Sequence, residues 1–124
     1  MEVNQLIEFL SSLSEILKYI GSEGLGVLAQ GAHNRQDEIA NANGVYPLVR
    51  ILKEPKEYLV LSAIRSLRHL CVSVGYAPHK RNQCTTAQAR GVKYLIALMT
   101  LSKSELIQVE AALTLASAAL GIYV

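Results

Sequence analysis

Residues 44–70, GVYPLVRILKEPKEYLVLSAIRSLRHL, recur in altered form on both sides of themselves. Shifted back by 42 residues, Leu48, Val49, Leu52, Leu59, Ala63, Leu67 and Leu70 fall on Leu6, Ile7, Leu10, Leu17, Gly21, Leu25 and Leu28 in one unbroken register. Shifted forward by 47, the first three fall on Leu95, Ile96 and Met99; at 48 the other four fall on Ile107, Ala111, Leu115 and Ala118. A period of about 40–47 residues carrying two or three helices marks an α-helical solenoid, in which each unit buries its apolar side only against its neighbours. The expected fold is therefore all-α and built by stacking. The expected mode of action is a binding surface.

Apolar residues at helical spacing predict helices over residues 3–11, 13–30, 34–41, 44–53, 57–74, 82–89, 91–100 and 105–120. They fall into a partial first repeat (residues 1–33), a second (34–77) and a third (78–124). Glu2 aligns with Gly44, so the first repeat lacks the opening helix of the others, and the apolar stretch from Ala119 to Val124 is no polar cap. Both features are those expected of a segment cut from a longer solenoid. Pro47 is tolerated in the first turn of its helix, where its missing N–H has no partner to lose. Gly31 is the expected stop of the first long helix. Gly21 occupies the register of Ala63 and Ala111, where a small side chain lets two helices approach; Gly24 and Gly26 have no such counterpart and each costs about 1 kcal/mol against alanine. The string GSEGLG follows a helix and lacks the trailing Lys and Ser or Thr of a phosphate loop.

Charge is unevenly placed. Residues 1–43 carry Lys18 and Arg35 against Glu2, Glu8, Glu15, Glu23, Asp37 and Glu38, a net −4, whereas residues 44–90 carry eight bases against Glu54 and Glu57, a net +6. Cys71 and Cys84 make no disulfide framework and match no zinc spacing, which points to an intracellular setting, and Cys71 aligns with Ala29 as a small buried residue. The start of the chain has acidic Glu2 and Glu8 where a signal peptide has bases. The longest uncharged run, residues 111–124, has 14 residues and is shorter than the ~20 that span a bilayer.

Gly44, Pro47, Leu48, Val49 and Leu52, followed by Leu59, Ala63, Leu67 and Leu70, resemble the second and third helices of the armadillo repeat family. Gly91, Leu95, Ile96 and Met99 repeat the first set; Ile107, Ala111, Ala112 and Leu115 repeat the second. The resemblance covers nearly the whole chain and implies a right-handed superhelix whose third helices line a concave groove. Proteins that combine ankyrin and armadillo repeats are one parent it suggests, although no ankyrin repeat is in view. In family members that bind extended peptides, an Asn ladder holds the peptide backbone and Trp residues four positions earlier form pockets. The matching positions here are Val27, His69 and Ser117 for Asn, and Glu23, Arg65 and Leu113 for Trp. None agrees, which argues against a basic nuclear-import peptide and leaves a groove with different chemistry.

Arg65, Arg68 and His69 form the sharpest candidate site, since Arg65 and His69 are four apart on one helix face and suit an acidic partner segment. The competing reading pairs Arg65 with Glu23 or Glu110 on a neighbouring helix. A basic loop, His79, Lys80 and Arg81 with Arg90 beyond, lies where five residues are inserted relative to the preceding connection and would meet phosphates of nucleic acid or a lipid headgroup. Nucleic acid is disfavoured because only Tyr76 is near for base stacking. Cys84 and His79 lack a third group to orient a base, and His33 has no second ligand at metal spacing. No catalytic residue, metal site or cofactor is expected. The apolar end, Leu120, Ile122 and Tyr123, is a candidate for self-association. The expected function is a non-enzymatic protein-interaction scaffold binding a protein or peptide, with self-stacking into a longer solenoid or homo-oligomer, and phosphate binding by residues 75–90, as alternatives.

Overall fold

The computed structural model describes residues 2–30, 33–73 and 75–120. They form α1 (Val3–Phe9), α2 (Glu15–Ala29), α3 (His33–Asn41), α4 (Val45–Ile51), α5 (Glu57–Cys71), α6 (Lys80–Gln88), α7 (Gly91–Leu101) and α8 (Glu105–Ala119). The only β pairing among these residues is an isolated bridge between Val72 and Pro78.

Three helices of 15 residues, α2, α5 and α8, pack side by side in a row, and α1, α4 and α7 back them in the same order. Most of the register found in the sequence is buried; the exposed exception is Ile96, the counterpart of Val49, which is 46% exposed on α7. Leu6, Leu10, Leu25, Leu48, Val49, Leu52, Leu59, Ala63, Leu67, Leu70, Leu95, Ile107 and Ala111 all lie in one apolar core that runs the length of the row. α5 is its centre, with Leu59, Ala63, Ile64, Leu67 and Leu70 sealed between neighbours on both sides. No described helix is long and apolar enough to cross a membrane.

Repeated local chemistry starts the long helices. Ser14 caps α2 by accepting from Leu17 N (3.3 Å), and Ser104 caps α8 by accepting from Ile107 N (3.2 Å). Each cap is preceded by a second serine, Ser12 or Ser102, whose Oγ accepts from the capping residue's own N–H. Two glycines mark close approaches. A Cβ at Gly21 would lie 2.5 Å from the Leu6 carbonyl oxygen, and one at Gly26 would lie 2.6 Å from Ser66 Oγ, which donates to Ser22 O (2.6 Å). Gly21 therefore sets α1 against α2. Gly26 sets α2 against α5, so its cost in helix propensity is offset by a buried bond between two helices.

The C-terminal end of α5 resolves the accounting problem of a buried helix terminus, where the last four carbonyls need external donors. Arg68 O accepts from Val72 N (3.2 Å), His69 O from Gln36 Nε2 (2.7 Å), Leu70 O from Asn82 Nδ2 (3.0 Å) and Cys71 O from His79 N (2.7 Å). The device recurs: Gln83, 47 residues after Gln36, donates to Ser117 O (2.9 Å) and Leu120 O (2.8 Å) at the end of α8. Each first helix thus carries a buried glutamine that closes the third helix of its own repeat.

Several helix ends differ from expectation by about one to three residues, and two of these differences have a local structural cause. α5 ends at Cys71 rather than residue 74, because Val72 turns extended (φ −140°, ψ 129°) to meet Pro78. α6 begins at Lys80 rather than Asn82, because His79 serves as its cap. The Gly31 stop, and Ile122 and Tyr123 of the self-association end, lie outside the described residues.

Candidate functional site

The row of α2, α5 and α8 places the expected groove residues on neighbouring helices and connects them by a lateral polar network. On α2, Tyr19 donates to Glu23 Oε1 (3.1 Å); Glu23 Oε2 lies 3.1 Å from the Ser62 hydroxyl of α5, which also meets Ser22 Oγ at 2.9 Å. The Glu23 carboxylate raises the Tyr19 pKa, chiefly by accepting its hydroxyl proton in that bond. Tyr58 of α5 reaches back to Glu15 Oε2 (3.2 Å), and its ring meets Tyr19 edge-on at 5.5 Å. Further along, Gln30 Nε2 lies 3.2 Å from His69 Nε2. An amide nitrogen only donates, so His69 Nε2 accepts and the ring proton sits on Nδ1. Burial, followed by the neighbouring Arg68 charge, pulls the His69 pKa down, so this ring is neutral near pH 7.

Arg65 and Arg68 are both committed to α8. Arg65 Nε donates to Glu110 Oε1 (2.6 Å) and Arg68 Nη1 to Glu110 Oε2 (2.9 Å), so one carboxylate sits in a fork of two guanidiniums. Of the two partners the sequence offered Arg65, Glu110 is the one it takes. The hydrogen bond from Arg68 is the main cause holding the Glu110 carboxyl below the usual range, with burial opposing and Arg65 adding to it. A depressed carboxyl contributes stability above its unfolded pKa and loses it as pH falls through the folded value. The stabilising effect of Glu110 over Glu110→Gln is therefore expected to be full at pH 7 and to shrink below about pH 4.5, the ordinary glutamate value. Thermal unfolding of both proteins from pH 7 to pH 3 checks this; a constant gap would dissociate Glu110 from the ion pairs.

Two hollows open beside this fork. One, about 440 Å³, is lined by Gln30, Arg68, His69, Val72, Ser73 and Tyr76 among others. The second, about 360 Å³, is lined by Arg68, Tyr76, Leu113, Ala116, Ser117 and Leu120. Arg68, Tyr76 and Ser117 are common to both, so His69, Leu113 and Ser117 are brought to one place with Arg68. Val27 is 68% exposed and belongs to neither lining, and Glu23 is held in the network nearer the N-terminal ends. Tyr76 and Gln30 were not among the sequence's groove candidates. The insertion of five residues was the signal that could have found Tyr76.

The basic loop is differently arranged from its sequence reading. His79 is only 4% exposed; its Nδ1 accepts from Asn82 N (3.2 Å) and its Nε2 lies 2.7 Å from Asp37 Oδ1. Arg81 donates to Asn41 Oδ1. Lys80 lies at the start of α6, and Arg90 beyond its other end in a left-handed conformation (φ 67°). The four residues do not converge on one anion.

His33 joins His79 and Asp37 in a cluster whose ligand atoms all lie within 4.8 Å of one another, a juxtaposition across two repeats that local spacing did not reveal. The chemistry does not fit a metal. A metal on His79 Nε2 needs the ring proton on Nδ1, donating outward. Here Nδ1 faces a backbone N–H, so the proton is on Nε2 and is given to Asp37. That bond is the main cause lowering the Asp37 pKa. The cluster is a hydrogen-bonded seam between α3 and α6. Cys84 is exposed, and the buried Cys71 thiol is pushed up to about 11 by desolvation, which leaves it unreactive at neutral pH.

No family model matches the chain. Over 120 residues, 95% of its length, it is 32% identical to the ankyrin and armadillo repeat-containing protein of Mus musculus, and it spans 8% of that protein. Among solved structures it is similar to an engineered protein (26% identity, TM-score 0.85, 94% of this chain and 27% of that one). It is also similar to a designed armadillo repeat protein (18%, TM-score 0.83, 94% and 46%) and to a designed armadillo repeat protein in complex with the peptide (KR)4 (19%, TM-score 0.83, 94% and 46%).

Proposed function

We propose that this armadillo-repeat solenoid is a non-enzymatic interaction scaffold that takes an extended protein segment along the row of α2, α5 and α8. The observation that carries the reading is the placement of polar and apolar side chains from all three helices on one wall, ending in two adjoining hollows. The designed protein of the same fold holds a peptide, and that likeness supports the mode of binding and not the sequence bound. Val27, Arg65, Arg68, His69, Leu113 and Ser117, with Glu23 at the far end, are the contacts this reading assigns. Selection from a randomised linear-peptide library on the intact chain is expected to return binders. Ser117→Arg, which places a long side chain where the two hollows adjoin, should weaken them at least tenfold, about 1.4 kcal/mol, with an unchanged thermal midpoint. Binders indifferent to Ser117→Arg would place the site elsewhere.

A second reading is favoured by α8 itself. Leu106, Val109 and Leu113 are exposed at helical spacing on this helix, with Leu120 exposed just beyond its end, and apolar surface of that kind marks an interface. Self-stacking through it predicts association in light scattering that Leu113→Asp abolishes. A strict monomer at high concentration would exclude it.

A further inference from the structure

The connection from α5 to α6 holds a residue whose backbone works against its own side chain. Tyr76 has φ 62°, in the left-handed region that bulky residues avoid. Its neighbour Gly75 (φ 81°) adopts the same region without a Cβ to resist it. The turn is imposed from outside Tyr76: Ser73 O accepts from Tyr76 N (3.0 Å), Ala77 O accepts from Ser73 N (2.9 Å), and Val72 pairs with Pro78. Such strain costs of order 1–3 kcal/mol and persists where the surroundings enforce it. Nothing is gained by burial, because Tyr76 is 81% exposed. It is instead, with Arg68 and Ser117, one of the residues that line both hollows.

The electrostatics of that place have one sign. Arg68 lines both hollows, and among the described residues no carboxylate lines either. The fork of Arg65 and Arg68 on Glu110 leaves one positive charge in excess, since two guanidiniums share a single carboxylate. Helix C-termini would ordinarily repel an anion here. That repulsion is blunted, because Gln36, Asn82, His79 and Gln83 already donate to the terminal carbonyls of α5 and α8. The other polar groups are neutral: the Ser73 and Ser117 hydroxyls, which donate to Ala77 O (3.2 Å) and Leu113 O (3.2 Å), and the Nδ1–H of His69; Leu113, Ala116 and Leu120 give the second hollow an apolar wall.

We propose that the paired hollows around Tyr76 are an anchoring subsite for an acidic side chain of an extended peptide that also presents an adjacent apolar side chain. Arg68 meets the carboxylate, the Leu113, Ala116 and Leu120 wall takes the apolar group, and Tyr76 separates the two and sets which sequences fit. The proposal rests on the groove reading above and names the class of segment that groove selects.

The test uses fluorescein-labelled decapeptides that are identical except for Asp, Asn or Lys beside a fixed Leu, measured by anisotropy at low salt. The Asp peptide is expected to bind at least tenfold tighter than the Lys peptide. Arg68→Gln and Tyr76→Gly should each weaken the Asp peptide about tenfold and level that preference. Tyr76→Gly is decisive because glycine accepts φ 62° without strain, so its thermal midpoint should hold or rise while its affinity falls. Equal affinity for the Asp, Asn and Lys peptides, or unchanged affinity in Tyr76→Gly, overturns the proposal. If Ser117→Arg still abolishes that indiscriminate binding, the groove reading survives without the acidic subsite; if no peptide binds the unaltered chain, both fall.

Discussion

Leu67→Ala is expected to cost about 2–5 kcal/mol of unfolding free energy, read as a lower urea midpoint at unchanged m-value. Leu67 has no exposed surface and sits on α5, which is packed by α2 on one side, α8 on the other and α4 behind. With rigid neighbours on three sides the vacated volume cannot be refilled by a small shift, and the lining atoms lose dispersion contacts as well as the transfer free energy of the side chain. Leu115 is its counterpart one repeat on. It packs against the same core but is only partly buried, so Leu115→Ala should cost clearly less than Leu67→Ala. A solenoid whose stability is a sum of unit and seam contributions predicts this gradient from the middle outward. Equal losses at the two positions would contradict it.

The leucine register made the row of helices legible, because in a stacked fold the positions that repeat are the positions that touch. Leu48, Leu67 and Leu95 are buried where their alignment puts them, and Gly21 meets Leu6 where alanine stands in the other repeats. The polar repeat is as regular but less legible. Gln36 and Gln83 are 47 residues apart, the same step as the second helices, yet a glutamine in an otherwise polar helix reads as solvated until the end of another helix is placed over it. The capping role of His79 is hidden in the sequence for a similar reason. A ring nitrogen caps a helix as well as a serine does when the imidazole is neutral, but sequence patterns for caps are built on Ser, Thr, Asp and Asn. The site was legible only in part. The repeat register already offered Glu110, beside Glu23, as a partner for Arg65; the choice between them, and the sharing of that carboxylate with Arg68, which changes two groove cations into a cluster with a single excess charge, needed the stacked geometry. Tyr76 could be placed in an inserted loop from spacing alone. Its left-handed backbone, and the hollows it divides, come from bonds its neighbours make.

Asn82→Ala is expected to destabilise the chain by about 2–4 kcal/mol, a large loss for deleting one amide. Asn82 is fully buried, and its Nδ2 donates to Leu70 O (3.0 Å) and Gln36 O (3.4 Å), two carbonyls of the preceding repeat. Alanine leaves both carbonyls without that donor in a place closed to bulk water, at about 1–3 kcal/mol for each group, the longer bond contributing least. Its own Oδ1 has no protein partner, so removing it returns part of the cost. The loss should be local as well as global. Amide exchange should quicken in α6 and the last turn of α5 before it quickens in α2, because this side chain joins the third repeat to the second. Asn82→Asp separates hydrogen bonding from packing at constant volume. Ionised, it turns an oxygen toward carbonyl oxygens and should be worse than alanine at pH 7; protonated, it regains a donor. Burial among carbonyls raises its folded pKa, so the aspartate variant should gain stability relative to alanine as pH falls and lose it again as pH rises through that value. If Asn82→Asp and Asn82→Ala keep a constant difference across that range, the amide is not the bond that holds the two repeats together.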